Sequence, residues 1–145
     1  MMPEDLKYYG VYQVDSTGMP RDHLAIFIET ILPTTGSGFN FQISGSIQQG
    51  MFLNHRPSPR PEDDEASAFV AKQLIGRVKA EDFDSGRLRD LCDRVPPPEK
   101  QFDGPKRLFP AKKLRMCREW VHEVVQVLRR DGVLEEVLLD GRVQG

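Results

Sequence analysis

Two side chains in this sequence carry the chemistry of a soft nucleophile, the thiols of Cys92 and Cys117. Cys117 is the first apolar position of a stretch, Leu114 to Arg130, whose spacing predicts a helix. At about 100° per residue, Cys117, Trp120, Val121, Val124, Val125, Val127 and Leu128 share one arc. Arg118, Glu119, His122, Glu123, Gln126, Arg129 and Arg130 take the other, and Asp131-Gly132 supplies the stop. A thiol in the first turn sits at the positive end of the helix dipole, beside N–H groups with no intrahelical acceptor. Both favour the thiolate. Such a nucleophile needs a base that takes its proton and later delivers one to a leaving group.

The chain has three histidines. His55 lies in a proline-rich stretch, a poor place for a pre-organised catalytic group. His122 is about 140° around the helix from Cys117, out of reach on the polar arc, and reads as a solvated residue. His23 opens the apolar run His23 to Ile31. An imidazole at a strand end, beside the N-terminus of a helix packed on that sheet, comes within hydrogen-bond reach of a cysteine there. It also needs a polar neighbour to fix its tautomer. Phe39 to Ser44 alternates apolar and polar, which places Asn40, Gln42 and Ser44 on one face with Gln42 central. A neutral amide orients imidazole, although it stabilises imidazolium less than a carboxylate does. Backbone N–H groups at Arg118 and nearby would serve as an oxyanion hole for acyl transfer.

Structural roles compete with these chemical ones. A cysteine on the apolar arc of a helix is commonly a small core residue, and Cys92 fits that role among Leu88, Leu91 and Val95. A strand-end histidine such as His23 is commonly satisfied by a backbone carbonyl. Trp120 and the valines read as core rather than as a cofactor box. Gly36-Ser37-Gly38 is too short for a phosphate loop, and the acidic run Glu62 to Glu65 lacks the His or Cys of a metal site. No cofactor and no metal are therefore expected. Two cysteines make neither a disulfide framework nor a usual zinc spacing.

The net charge of −2 offers no electrostatic reason to bind nucleic acid or an anionic membrane. No apolar run is long enough for a transmembrane segment. The start, Met1 to Lys7, lacks the basic and apolar regions of a signal peptide, so a cytoplasmic location is expected. The expected partner is a small-molecule or peptide-like acyl substrate, and the oligomeric state is left open.

Elements that would position these residues follow from the pattern. Lys7 to Val14 and His23 to Ile31 read as a hairpin, the second strand buried on both faces. Phe39 to Ser44 and a short Gly50 to Leu53 follow as strands; Ala68 to Val78 fits either helix or strand, with strand favoured over at least Lys72 to Val78. Asp84 or Ser85 caps a short helix through Arg87 to Val95, ended by Pro96-Pro97-Pro98. Val133 to Leu139 is either a last strand or a further helical turn. Exposed loops are expected at about 54–66 and 97–113. The whole, residues 1–145, reads as one α+β domain, an antiparallel sheet followed by two helices.

The layout resembles a group of small fungal proteins. The stretches that carry it are Tyr8-Tyr9-Gly10-Val11-Tyr12, His23-Leu24-Ala25-Ile26-Phe27, Phe41-Gln42-Ile43, Leu74-Ile75-Gly76-Arg77-Val78, Leu88 to Pro96, and Met116-Cys117-Arg118-Glu119-Trp120-Val121. Their order over roughly residues 8–134 carries the likeness. That group in turn looks like the circularly permuted branch of the papain-like and NlpC/P60 superfamily, where the histidine strand precedes the cysteine helix. The branch includes peptidases, deubiquitinase-like enzymes and lipid acyltransferases. The resemblance implies Cys117 as nucleophile, His23 as base and Gln42 at the third position, where related sequences tend to carry histidine. Met116 replaces the usual asparagine. Two functions follow as expectations: a cysteine-dependent hydrolase or acyltransferase working through a thioester on an amide or ester, or a catalytically inactive binding module on the same scaffold.

Overall fold

The computed structural model describes residues 7–17, 23–30, 37–64 and 68–137. It is a mixed α+β chain, mostly antiparallel sheet, with helices on one face. Strands β1 (Tyr8–Ser16) and β2 (His23–Glu29) form the expected hairpin, Ser16 opposite His23 and Gly10 opposite Glu29. Ile31, at the end of the predicted strand, lies outside the described residues. Leu24 to Glu29 are all buried, because β2 is the middle strand of five in the order β6-β3-β2-β1-β7. Leu24, Ile26 and Ile28 join the core under the helices. On the other face Lys72, from β7 (Phe69–Lys79), lies over the rings of Tyr12 and Phe27 and pairs with Glu29 at 3.4 Å and Glu62 at 2.9 Å.

The predicted single strand from Phe39 to Ser44 is two strands. β3 (Ser37–Phe41) pairs with β2 and β6, whereas β4 (Ile43–Ser46) pairs with β5 (Gly50–Leu53) in a separate hairpin. The side-chain alternation nevertheless runs through the break: Phe39, Phe41 and Ile43 pack on the core, and Asn40, Gln42 and Ser44 line a groove on the opposite side. Only the hydrogen-bonding partner changes, and it changes at Gln42.

Of the predicted exposed loop at 54–66, residues 54–64 are largely structured, and 65–66 lie outside the described residues. β6 (Arg56–Pro59) docks on the free edge of β3, and a 3₁₀ turn follows at Pro61–Asp63. Prolines suit an edge strand, where a missing N–H leaves no gap in the ladder and blocks further pairing. The predicted loop at 97–113 likewise contains a small hairpin, β8 (Phe102–Asp103) with β9 (Lys106–Arg107).

Among the described residues three α-helices stand where two were expected. The additional one, α1 (Ala80–Asp84), has five residues, too few for helical periodicity to show. The Ser85 hydroxyl accepts the Arg87 N–H at 3.4 Å at the start of α2 (Arg87–Asp93), which stops short of Val95. Helix α3 (Cys117–Arg130) buries Trp120, Val121, Val124, Val125 and Leu128 against the sheet. None of the helices described is long and apolar enough to cross a membrane.

After α3, Val133 and Leu134 enter the core and Glu135 forms one antiparallel bridge with Arg77. The described part of the predicted element Val133–Leu139 thus holds bridge residues at Glu135 and Val137, and residues 138–139 lie outside those described. The bridge needs Gly76, because a Cβ there would meet the Glu135 carbonyl oxygen at 2.4 Å and Leu134 Cδ1 at 2.7 Å. Gly76→Ala is expected to lower stability by about 1–3 kcal/mol, measured as a shift in the urea midpoint.

Candidate active site

Helix α3 is held at its start by contacts that leave little freedom. The Met116 N–H donates to the Glu119 carboxylate at 2.6 Å, half of a capping box. Trp120 Nε1 donates to the Val95 carbonyl at 2.9 Å, tying the first turn to the end of α2. Arg115 grips Glu123 at 2.7 and 2.9 Å and the Pro96 carbonyl at 2.7 Å. These contacts fix the thiol of Cys117, which is partly exposed in the first turn.

The start of β2 lies against it. The Cys117 sulfur is hydrogen-bonded to the His23 ring and to the Leu24 backbone N–H. His23 Nε2 lies 3.0 Å from Gln42 Oε1. An amide oxygen only accepts, so Nε2 carries the proton, and Nδ1 is the nitrogen left for the thiol. The three residues singled out in the sequence, Cys117, His23 and Gln42, therefore meet in one contiguous row. His122 is exposed on the polar arc, far from it in role.

Opposing influences act on the thiol. Burial is the largest and pushes Cys117 upward; the His23 and Leu24 hydrogen bonds and the charges of His23 and Arg118 together outweigh it, and the net shift is downward. His23 moves the other way. Its hydrogen bond to Cys117 raises it, burial opposes, and Gln42 adds to the rise. A lowered thiol beside a raised imidazole favours the thiolate–imidazolium pair. Cys92 differs in every respect: it is fully buried in α2, and burial pushes its thiol far up.

Gln42 is secured through its backbone. Its N–H donates to His55 Nδ1 at 3.1 Å and its carbonyl accepts the Asn54 N–H at 2.9 Å. Asn54 Nδ2 donates to Ser44 Oγ at 2.8 Å. The expectation that His55 sits in an unorganised loop is corrected here. Its side chain is 1 % exposed, packs near the rings of Phe41 and Trp120, and has Nε2 3.0 Å from Asp93 Oδ1. The docking of β6 fixes it. No local signal announces this, since the partners Gln42 and Asp93 are 13 and 38 positions away.

A groove of about 610 Å³ opens beside the imidazole on the sheet face away from the helices. His23, Gln42, Asn40, Ser44, Ser16 and Ser58 line it with polar groups, Val14 and Ala25 form an apolar floor, and Pro57, Pro59 and Pro61 a wall.

A family profile matches residues 11–135, from β1 to the bridge at Glu135, and so includes the whole site. The chain belongs to DUF6540, a family of unknown function. No curated protein and no solved structure matches this DUF6540 chain.

Proposed function

We propose that this DUF6540 chain is a cysteine-dependent hydrolase or acyltransferase that works through a thioester, on the scaffold of a circularly permuted papain-like enzyme. The observation that carries the reading is the Cys117–His23–Gln42 row, with the thiol lowered and the imidazole raised. The order along the chain supports the reading, since the histidine strand precedes the cysteine helix as in the permuted branch.

In this mechanism the Cys117 thiolate attacks the carbonyl carbon of an amide or ester, forming a C–S bond while the carbonyl electrons move to oxygen. Backbone N–H groups in the first turn of α3, that of Arg118 among them, stabilise the oxyanion. Collapse of the tetrahedral species breaks the C–N or C–O bond, and the His23 imidazolium gives its proton to the leaving group. Water or another acceptor then attacks the thioester, loses its proton to His23, and expels the thiolate. Gln42 holds the imidazole so that Nδ1 faces sulfur throughout. The polar lining of the groove beside His23 suits the part of an amide or ester substrate that extends past the imidazole, away from Cys117.

The test is the pH dependence of iodoacetamide alkylation, read by mass spectrometry at both cysteines. Because the Cys117 thiol is lowered and the Cys92 thiol raised, Cys117 is expected to label fast near neutral pH and to keep labelling on the acid side of an ordinary thiol, while Cys92 stays protected. If Cys117 labels no faster than Cys92, the catalytic reading fails and the groove is a binding site on an inactive scaffold.

A further inference from the structure

We infer that His55, held by Asp93, is the positioning residue that fixes Gln42 and through it the His23 ring, and that protonation of His55 releases this hold. The inference rests on the reading of Cys117 and His23 as the working pair. Gln42 occupies the junction where one ladder ends and another begins, so its backbone N–H has no strand partner. His55 Nδ1 takes that role at 3.1 Å. Accepting at Nδ1 requires the Nε2–H tautomer, and the Asp93 carboxylate 3.0 Å from Nε2 selects it. The row Asp93–His55–Gln42–His23–Cys117 thus joins α2, the β5–β6 connection, the β3–β4 junction, β2 and α3 through contacts of fixed polarity.

The arrangement works only while His55 is neutral. A proton on Nδ1 would set a ring N–H against the Gln42 N–H, two donors face to face, and Gln42 would have to turn away. The charged neighbours are Asp93, which favours protonation, and Arg89, which opposes it, both from α2; Phe41 and Trp120 pack the ring from β3 and α3. Burial is the strongest influence, and the net shift is downward, so neutral His55 persists at neutral pH and the release belongs to the acid side.

Two substitutions separate acceptor from packing. His55→Asn keeps an acceptor near the Nδ1 position and cannot be protonated, whereas His55→Phe keeps a ring and removes the acceptor. His55→Phe is expected to slow Cys117 alkylation by less than the about 10- to 100-fold lost when a group touching a site residue directly is removed, because Gln42 stands between His55 and the His23 ring. It should also move His23 away from the Nε2–H form in ring ¹⁵N shifts. His55→Asn should restore both and flatten the acid limb of the alkylation profile. In the wild type, the Gln42 amide proton should shift with the His55 titration, a readout that survives if either variant fails to fold. A Gln42 amide indifferent to that titration overturns the inference, as does His55→Asn behaving like His55→Phe. If wild-type Cys117 proves unreactive, the catalytic reading falls, while the Gln42 and His23 resonances still decide the positioning role.

Discussion

Replacing His23 with alanine is expected to cut turnover of an activated acyl ester such as p-nitrophenyl acetate by about 10²- to 10⁴-fold, the usual contribution of a positioned general base and acid. Three effects combine. The substitution removes the strongest influence lowering the Cys117 thiol and leaves burial, which pushes it up, against the weaker pull of the Leu24 N–H and Arg118. It removes the proton donor for the leaving group. It also leaves Gln42 Oε1 without the ring it orients. The pH profile should change in kind as well as in size: alkylation of Cys117 should become that of a buried thiol and move to the alkaline side. A fall in turnover without that alkaline displacement would mean that His23 shapes the groove without activating the thiol.

The largest loss of stability is expected at Trp120. It is fully buried in the core cluster, packs near the His55 ring with centroids 5.9 Å apart, and donates from Nε1 to the Val95 carbonyl at 2.9 Å. Trp120→Ala removes the largest side chain of the core and leaves a cavity, a change that costs about 3–5 kcal/mol. Trp120→Phe should cost less, since it retains most of the packing but orphans the Val95 carbonyl. Urea unfolding followed by circular dichroism measures both. Because Trp120 ties the first turn of α3 to Val95, just past the end of α2, Trp120→Phe should also loosen Cys117 and slow its alkylation while the fold persists. Equal stability of Trp120→Ala and wild type would contradict the packing described here.

Much of the site was legible in the sequence because it depends on local periodicity. The 3.6-residue pattern from Leu114 to Arg130 placed the thiol near the start of a helix, and α3 begins at Cys117 itself rather than at Leu114. The period-two pattern placed Asn40, Gln42 and Ser44 on one face, and that alternation survives although the strand breaks at Gln42. The apolar run after His23 marked a strand covered on both sides, which β2 is.

The residues that hold the site were hidden, because their partners are set by contacts between distant segments. A stretch with three prolines between Asn54 and Pro61 has the composition of a loop, and it becomes ordered because the free edge of β3 accepts it as β6. That docking buries His55 and turns a histidine with no local partner into the acceptor for Gln42. Asp93, on the exposed side of a helix 38 positions further on, becomes the group that selects its tautomer. Sequence periodicity determined which faces Cys117 and Gln42 occupy, and the apolar run placed His23 at the start of a strand. Tertiary structure alone decided what holds them there, since a hydrogen bond between segments far apart in the chain depends on how whole elements dock and leaves no periodic trace in the residues that make it.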